Sequence, residues 1–425
     1  MKKIKLTALE RSWILYDVGN SAFVLLCSTL LPIYFNALAS GANLNEDLYL
    51  SYWGYAGSIA TALVAIIGPI CGAIADQKDF KKPIFLVCLA LGAIGCAALG
   101  IAWSWLVFLV IFVIAKVGYS SSLVFYDSMI SEVTTEDRID KISSMGYAYG
   151  YIGSVIPFVA CLGLVLGYEL IGITQTTAMI FAFLITSVWW ICCSLPLVKR
   201  YRQTAFMERQ SHPIRASFGE LGKTLKHAWQ NPNILLYLLA FFFFINGVYT
   251  IIDMATAYGT ALGLDTTGLL LALLVTQIVA FPFAILFGRL SAKVPVGKLM
   301  KICILSYAGI ILFAVFLKAQ WQFWLLAVLV GMFQGGIQAL SRSYMARIIP
   351  QERSGAYFGL MDICGKGASF LGMLLVSAVS HALAGASVHV FGLTLTNENI
   401  AVSSLLILMI VGFVLFCKTD RMNRK

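Results

Sequence analysis

Charged residues are scarce in this sequence. Asp, Glu, Lys and Arg together make up 12% of its 425 residues, and 60% of the residues are hydrophobic. A soluble domain has about 25% charged residues, and the mean hydropathy here is +0.86. The chain therefore carries more apolar surface than a soluble fold can bury, which indicates a membrane protein that exposes this surface to lipid.

Motifs for several common chemistries are also missing. No G-x-x-x-x-G-K-[ST] sequence is present, so ATP does not drive any activity through a phosphate-binding loop of this chain. The ten cysteines lie within or at the ends of apolar stretches without a C-x-x-C motif, and the four histidines lack metal-ligand spacing. We expect no enzymatic activity, no cofactor and no metal site.

Twelve apolar stretches are each long enough to cross a bilayer as a helix. The predicted spans are 13–39, 49–75, 83–103, 105–129, 145–168, 173–197, 234–258, 267–288, 302–317, 323–346, 356–380 and 400–417. Their short connections leave no room for a sizeable soluble domain. The first stretch is too long for a signal-peptide core and lacks a small-residue cleavage site, so we expect it to remain in the membrane.

The net charge of +10 comes from basic connections. Apart from Lys116, Lys318 and Lys366, every Lys and Arg falls in a terminus or connection that would share one side of the membrane, counting Arg342 at the inner end of its span. Short cytoplasmic loops are enriched in basic residues. We therefore expect both termini in the cytoplasm, and we interpret the positive charge as topology rather than as a nucleic-acid site.

Seven charged side chains lie inside the apolar stretches. They are Asp17 in span one, Lys116 and Asp127 in span four, Asp253 in span seven, Arg342 in span ten, and Asp362 and Lys366 in span eleven. An ionised group at membrane depth normally faces a water-filled cavity or a partner within the bundle. Spans three, six, nine and twelve carry none. This pattern favours a solute carrier in which the charge-free spans face lipid.

The two halves of the sequence repeat at an offset of about 215 residues. At that offset Gly150 pairs with Gly365, and Asp127 pairs with Arg342. The predicted organisation is an N-terminal six-helix bundle at 1–198, a basic cytoplasmic linker at 199–230 and a C-terminal six-helix bundle at 231–425. Two parallel halves that meet at a midplane site are typical of transporters.

Four segments resemble the vacuole-effluxer-like family of the major facilitator superfamily. They are W-I-L-Y-D-V-G-N-S-A-F (13–23), F-Y-D-S-M-I-S-E-V (125–133), G-G-I-Q-A-L-S-R-S-Y-M-A-R-I-I-P-Q-E-R (335–353) and G-L-M-D-I-C-G-K-G-A-S (359–369). The resemblance extends over essentially the whole chain and implies an all-α major facilitator fold of twelve transmembrane helices. The family is named for fungal vacuolar amino-acid exporters, so the resemblance also implies a carrier.

The resemblance further implies roles for particular helices and loops. Helices one, four, seven and ten would line the cavity, and the segment after span two would act as a conformational latch, in which Asp76 holds a neighbouring helix end in one state. The second copy of this segment has Ala292 where the acid would be. This chain departs from the family pattern with Asp127 and Lys116 at positions where Asn is usual. It also has Gln77 and Asp79 in place of a basic residue and a glycine.

Spans one and four carry candidate substrate-binding or coupling residues. Asp17 and Asn20 share one helical face, and Asp17 either binds a proton or an amine or orients the inner end of its helix. Lys116, Ser120 and Asp127 share a face of span four. Lys116 has no acidic residue three or four positions away, so it pairs across helices, meets an anionic group of a solute, or loses its proton.

Spans seven, ten and eleven carry the remaining candidates. Asn246 and Asp253 lie on one face of span seven, with Asp253 toward the outer end as a gate or proton site. Gln334, Gln338 and Arg342 recur every four residues on span ten and would suit an amphoteric solute; alternatively, Arg342 closes the cytoplasmic side by pairing with Asp127. Asp362 and Lys366 are four residues apart in the acid-first order, which favours a structural ion pair.

The sequence thus predicts a monomeric, multi-pass carrier in the cell membrane, or in a vacuolar-type membrane in a eukaryote. Its solute would be a small polar molecule, foremost an amino acid or short peptide, moved by alternating access, with proton coupling left open. A carrier for a sugar, an organic anion or a drug is the first alternative. A channel or a membrane scaffold that does not transport is the second.

Overall fold

The computed structural model describes residues 5–44, 49–209, 213–383, 387–390 and 393–423, and most of this chain is helical. The helices are α1 (Ala8–Ser28), α2 (Leu30–Gly41), α3 (Tyr49–Ala75), α4 (Lys81–Ala98), α5 (Trp105–Ser128), α6 (Ile130–Val133), α7 (Ile139–Leu166), α8 (Tyr168–Ile171), α9 (Gln175–Arg200), α10 (Pro213–Gln230), α11 (Pro232–Ala261), α12 (Thr266–Leu290), α13 (Val296–Val315), α14 (Gln320–Ile348), α15 (Ser354–Ala382), α16 (Asn397–Ser403) and α17 (Leu405–Met422). Two short 3-10 segments, Leu99–Ile101 and Gln351–Arg353, adjoin α4 and α15.

Local sequence explains where several of these helices begin. Thr7 accepts a hydrogen bond from the Glu10 N–H while the Glu10 carboxylate accepts one from the Thr7 N–H, which forms a capping box before α1. Ser104 and Asp265 cap α5 and α12 with one side-chain oxygen each, which accepts a hydrogen bond from the N–H group three residues later. Pro232 occupies the first turn of α11, where its missing N–H costs no hydrogen bond.

Within the described residues, eleven helices are long and apolar enough to cross a membrane, and a bent pair, α1 with α2, makes up to twelve. The all-α membrane architecture predicted from the sequence is confirmed. The predicted first span at 13–39 corresponds to this pair and is bent, because the two helices meet at an angle of 41° around Thr29. Pro32 cannot donate to the preceding turn, and the Thr29 hydroxyl donates back to the Leu25 carbonyl, which competes with helical bonding.

A first compact unit, called here the N-terminal unit, comprises the described parts of Met1–Ile142, Tyr149–Gly222 and Pro350–Leu360. Its main helix pairs are α1 with α9, α4 with α5 and α3 with α5. A Cβ on Gly118 of α5 would overlap the backbone of α4 at Gly92, so the α4–α5 pair relies on small residues for its close approach. The beginning of α15 belongs to this unit although it lies late in the sequence.

A second compact unit, the C-terminal unit, comprises Ser143–Ala148, Lys223–Ile349 and the described part of Met361–Lys425. Its main helix pairs are α11 with α17, α12 with α14 and α13 with α14. It also contains an antiparallel hairpin of β1 (Ser387–Val390) and β2 (Leu393–Thr396), which was not among the elements predicted from the sequence. The two units divide the chain differently from the predicted linear domains, since each includes a short segment from the other half of the sequence.

Helix boundaries follow the offset seen in the sequence. The first residues of α4 and α13, of α5 and α14, and of α7 and α15 are each 215 residues apart, as are the last residues of α3 and α12. The helix pairs match as well, since α4–α5 corresponds to α13–α14 and α3–α5 to α12–α14. The chain is therefore an internal repeat at the level of secondary structure and local packing.

Candidate functional site

The polar stripe of α1 lies in the interior of the N-terminal unit. Asp17 and Asn20 are 6% and 1% exposed, and the Asn20 amide donates to the Asp17 carboxylate at 3.3 Å and to the Tyr16 carbonyl at 3.1 Å. The Tyr16 hydroxyl donates to Ser122 on α5 at 2.7 Å. Both predicted residues therefore belong to one buried hydrogen-bonded group that joins α1 to α5.

The candidates on α5 occupy environments that differ in burial. Ser120 is 5% exposed, whereas Lys116 and Asp127 are half-buried. The Lys116 ammonium lies 5.9 Å from the centre of the Phe112 ring, within range of a cation–π interaction. A half-buried ammonium beside an aromatic face retains access to water or to a solute, so Lys116 remains a candidate for binding an anionic group.

The candidates on α11 are one buried amide and one exposed acid. Asn246 is 2% exposed and accepts a hydrogen bond from the Thr250 hydroxyl at 3.4 Å. Asp253 is exposed, and the Ser369 hydroxyl of α15 donates to its carboxylate at 2.6 Å. The two residues therefore lie at different depths, and Asp253 connects α11 to α15.

On α14 the polar stripe ends at a buried arginine. Gln334 is buried and Gln338 is half-buried. Arg342 is 3% exposed, and its guanidinium donates to the Ser143 hydroxyl and carbonyl, each at 2.9 Å, while it stacks 4.4 Å above the Tyr147 ring. These contacts attach α14 to the first turns of α7 in the C-terminal unit.

Asp362 and Lys366 on α15 form an ion pair with each other. The Lys366 ammonium donates to the Asp362 carboxylate, and both side chains are about a quarter exposed. The acid-first spacing of four residues predicts this contact, and a self-neutralised pair costs less than two separate charges in an apolar setting. Its structural role remains a prediction.

Asp76, just after α3, holds the beginning of α15. Its two carboxylate oxygens accept hydrogen bonds from the Gly355 and Ala356 N–H groups at 2.7 and 2.9 Å. These are orphan donors of a helix N-terminus, which favours a negative charge. A Cβ on Gly72 would overlap the Gly355 backbone, so this glycine permits the close approach. The predicted contact between the Asp76 carboxylate and a helix end is therefore present.

Burial raises the pKa of Asp76 to about 6, while Lys81 and the two N–H donors oppose that shift. Lys81 itself is fully buried, and its ammonium donates to Glu132 at 2.7 Å and to the Ser354 hydroxyl at 3.0 Å. The same ammonium is 3.9 Å from Asp76. One lysine thus connects the ends of α3, α6 and α15, and its two acidic neighbours compensate for its burial.

Glu132 also fixes the segment that follows α9. Its carboxylate accepts hydrogen bonds from the Tyr201 hydroxyl at 2.9 Å and from the N–H groups of Thr204 and Ala205 at 2.6 and 3.1 Å. Farther along, Met207 forms an isolated parallel bridge with Gln77. Burial raises the pKa of the Tyr201 hydroxyl, and the adjacent Glu132 carboxylate raises it further. The first part of the predicted linker is therefore bonded to α6 and to the segment after α3.

Lys81 and Glu132 were not among the predicted site residues. Lys81 is one of several basic residues in a connection, and Glu132 is one acid within a segment that resembles the family, so neither is distinguished by its position in the sequence. Within the described residues no group of three His, Cys, Asp or Glu side chains has the geometry to hold a metal ion.

The fold is that of the major facilitator superfamily. The chain superimposes on the proton:xylose symporter XylE with a TM-score of 0.72 and 12% identity, covering 97% of this chain and 94% of that one. It superimposes on FucP in the outward conformation with a TM-score of 0.71 and 16% identity, covering 97% of each chain. At this level of identity the similarity establishes the fold, a multi-pass membrane architecture.

The chain belongs to the family described as vacuole effluxer Atg22 like, whose model matches residues 8–138 and 131–425. It is 37% identical over 416 residues to the uncharacterized MFS-type transporter YxiO of Bacillus subtilis (strain 168), covering 97% of this chain and 94% of that protein. It is 27% identical to autophagy-related protein 22 of Eremothecium gossypii over 58% of this chain and 52% of that protein. This chain is accordingly a transporter of the major facilitator type, and its relatives are transporters rather than enzymes.

Proposed function

We propose that this transporter moves a small zwitterionic solute, an amino acid or a short peptide, by alternating access. The observation that carries the proposal is the mixed character of the polar side chains on the candidate lining helices. Asp17 and Asn20 on α1, a half-buried Lys116 on α5 and the amide of Gln334 on α14 offer an acid, a base and amides. An amino acid needs partners for both its ammonium and its carboxylate.

In this proposal Lys116 binds the solute carboxylate, and Asp17 binds its ammonium or a coupled proton. Gln334 and Gln338 complete the polar lining, with Asn246 on α11 as a further amide. The family described as vacuole effluxers supports export or exchange as the direction. We further propose that the protein acts as a monomer in the cell membrane with both termini in the cytoplasm.

Two contacts would control access in this scheme. The Asp76 carboxylate on the α15 N-terminus would hold one conformation and release the helix in the other. Arg342 would act as a gate rather than as a binding residue, because its guanidinium is already engaged by Ser143 and Tyr147. Asp253 would act at the outer end of α11 as a gate or proton site, through its contact with Ser369.

Lys116→Met tests the substrate-binding part of the proposal. In proteoliposomes loaded with unlabelled amino acids, we expect uptake of labelled amino acid by the variant to show at least a tenfold higher KM, since a charge-assisted hydrogen bond is worth about 1.5–3 kcal/mol. Lys318→Met, at an exposed position, is the matched control and should transport like the parent. Unaltered KM and pH dependence in Lys116→Met would remove this role.

The same exchange assay with a panel of labelled solutes distinguishes the proposed function from the first alternative, a carrier for a sugar, an organic anion or a drug. The absence of exchange would indicate a channel or a scaffold that does not transport. A channel would also give a sustained ionic current that is not accelerated by solute on the opposite side.

A further inference from the structure

A cavity of about 460 Å³ lies within the C-terminal unit, among α11, α15, α16 and α17. This volume falls in the range of about 300–1,000 Å³ that is usual for small-molecule sites. Its walls are mostly apolar and include Ile251, Met254, Val402 and Leu405. The cavity is therefore of a size and surface that suit an apolar molecule larger than a single amino-acid side chain.

The polar groups of this cavity are concentrated where the end of α15 meets the beginning of α16. Ser380, His381, Asn397 and Glu398 all line it. The Asn397 amide donates to the Ser380 hydroxyl at 3.2 Å, so the two helix ends are joined at this point. The cavity thus has an apolar interior and a polar end that contains a carboxylate.

One wall is an aromatic ring with its hydroxyl already engaged. The Tyr258 hydroxyl donates to the Ala314 carbonyl at 2.8 Å and accepts from the Asn399 amide at 2.7 Å. The ring therefore contributes an aromatic surface rather than a further hydrogen-bonding group. Aromatic faces attract cations as well as apolar groups.

The contact between α11 and α15 separates the cavity from Asn246, a predicted solute-binding residue. Thr250 lines it, whereas its neighbour Asn246 does not. A Cβ on Gly372 of α15 would overlap the side-chain oxygens of both residues, which indicates that α15 closes onto α11 at this depth. The cavity therefore does not include the buried amide of Asn246, one of the predicted solute-binding residues.

We propose that this cavity binds a lipophilic cation, with the apolar body among α11, α15 and α17 and the positive charge near Glu398. The charge preference follows from the lining, because Glu398 is its carboxylate and none of the described lining residues is Lys or Arg. Cations paired with a carboxylate beside an aromatic ring are stabilised by both groups. This inference does not depend on the proposed amino-acid substrate.

Tetraphenylphosphonium and tetraphenylborate provide the test, because they have nearly the same size and shape and opposite charge. Binding of each labelled ion is measured at pH 8 to the purified protein in nanodiscs of zwitterionic lipid, with empty nanodiscs subtracted. We expect saturable binding of the phosphonium and at least about tenfold weaker binding of the borate, a difference of about 1.4 kcal/mol.

Two variants and their controls locate the site. Ala255→Phe places a ring in the cavity and should weaken phosphonium binding by at least about tenfold, whereas Ala378→Phe, on an exposed position of α15, should not. Glu398→Gln should reduce the preference for the phosphonium over the borate to less than about threefold, and Glu169→Gln, an exposed acid of the N-terminal unit, should leave it unchanged.

Equal binding of the two ions by the parent protein would overturn the proposal, as would full phosphonium binding in Ala255→Phe. A preference for the phosphonium that survives in Glu398→Gln would also overturn it. Glu398→Gln is nearly isosteric, so its result remains informative if Ala255→Phe fails to fold, which size-exclusion chromatography and thermal unfolding would reveal.

Discussion

The connections after α3 and after α12 occupy equivalent places in the repeat and differ in the contacts that they form. Each contains five residues, 76–80 and 291–295. In the first, Asp76 accepts two N–H groups of α15. In the second, Ser291 stands 215 positions after Asp76 and is followed by Ala292, so the sequence-based match of Asp76 to Ala292 is one residue off. The second connection contains no acid, and its turn is formed by local bonds such as Val294 N–H to the Leu290 carbonyl at 2.8 Å.

This difference shows that the turn does not need the carboxylate in order to form. The helices on both sides begin and end at matching positions with or without an acid in the connection. The presence of an acid at position 76 is therefore explained by its contact with α15 and not by a requirement of the turn. A residue that is dispensable for the turn and engaged elsewhere is a suitable element for a reversible latch.

The largest effect on stability is expected from removing Lys81, the buried lysine that follows the first of these connections. Lys81→Met leaves the Glu132 carboxylate, whose side chain is 1% exposed, without its cation. Breaking a buried pair costs about 3–5 kcal/mol, so we expect a large fall in the free energy of unfolding. Thermal unfolding in detergent, followed by tryptophan fluorescence, measures this effect.

The matched control for Lys81→Met is Lys301→Met in the second half. Lys301 pairs with Asp420 at 2.6 Å, but its side chain is 26% exposed. A pair with access to water contributes about 1 kcal/mol or less, so this variant should unfold near the parent temperature. If both variants unfolded at the same temperature, the distinction between the two halves would be lost.

A smaller effect is expected from exchanging the latch residue between the copies. Asp76→Ala removes the cap of α15, which costs about 0.5–2 kcal/mol. Ser291→Asp introduces an acid at the equivalent position of a turn that already forms without one, so it should change the unfolding temperature little. Chemical or thermal unfolding of both variants measures the comparison, and an equal loss in the two would contradict the assigned role of Asp76.

The pH dependence of the first copy follows from the pKa of Asp76, which is about 6 in the folded protein and about 3.9 for an ordinary Asp. The folded state binds this proton more tightly, so the stability contributed by Asp76 is complete below about pH 4 and is lost as the pH rises to about 6. Relative to Asp76→Asn, the unfolding temperature of the parent should decline across that interval and then remain level. A relative increase across the same interval would show that the Lys81 and N–H contacts outweigh burial.

The smallest effect is expected at Asp79, which adopts a positive φ of 66° in the first connection. A residue with a Cβ is disfavoured in this conformation, which glycine adopts readily, although Asp tolerates it better than most. Asp79→Gly should stabilise the protein by up to about 1 kcal/mol, and Asp79→Val should destabilise it. The unfolding temperatures of the two variants measure this effect. A higher unfolding temperature for Asp79→Val than for Asp79→Gly would contradict the prediction.

The sequence predicted the features that depend on composition and local spacing. The transmembrane stretches, the offset of 215 residues and the Asp362–Lys366 pair all follow from patterns within one segment or between equivalent segments. The bend at Thr29 was missed, although Pro32 and the hydroxyl of Thr29 are local signals for it. Alternating apolar residues at 388, 390, 393 and 395 would likewise have indicated the hairpin.

Contacts between distant segments were beyond sequence reasoning. Lys81 and Glu132 are 51 residues apart, and the Ser143–Arg342 contact joins residues 199 positions apart. A single sequence gives no signal for which basic residue of a connection becomes buried, since that depends on which acid the fold brings to it. The partners of Asp76 are an intermediate case, because the resemblance implied a helix end but not the particular N–H groups.

Solute exchange by the parent protein tests the central claim most directly. Proteoliposomes are loaded with a labelled amino acid, and its efflux is followed with and without unlabelled amino acids outside. The account predicts that at least one amino acid outside accelerates efflux of the label, because a carrier returns faster when loaded. Efflux that is unaffected by every amino acid tested, or a sustained current without exchange, would contradict it.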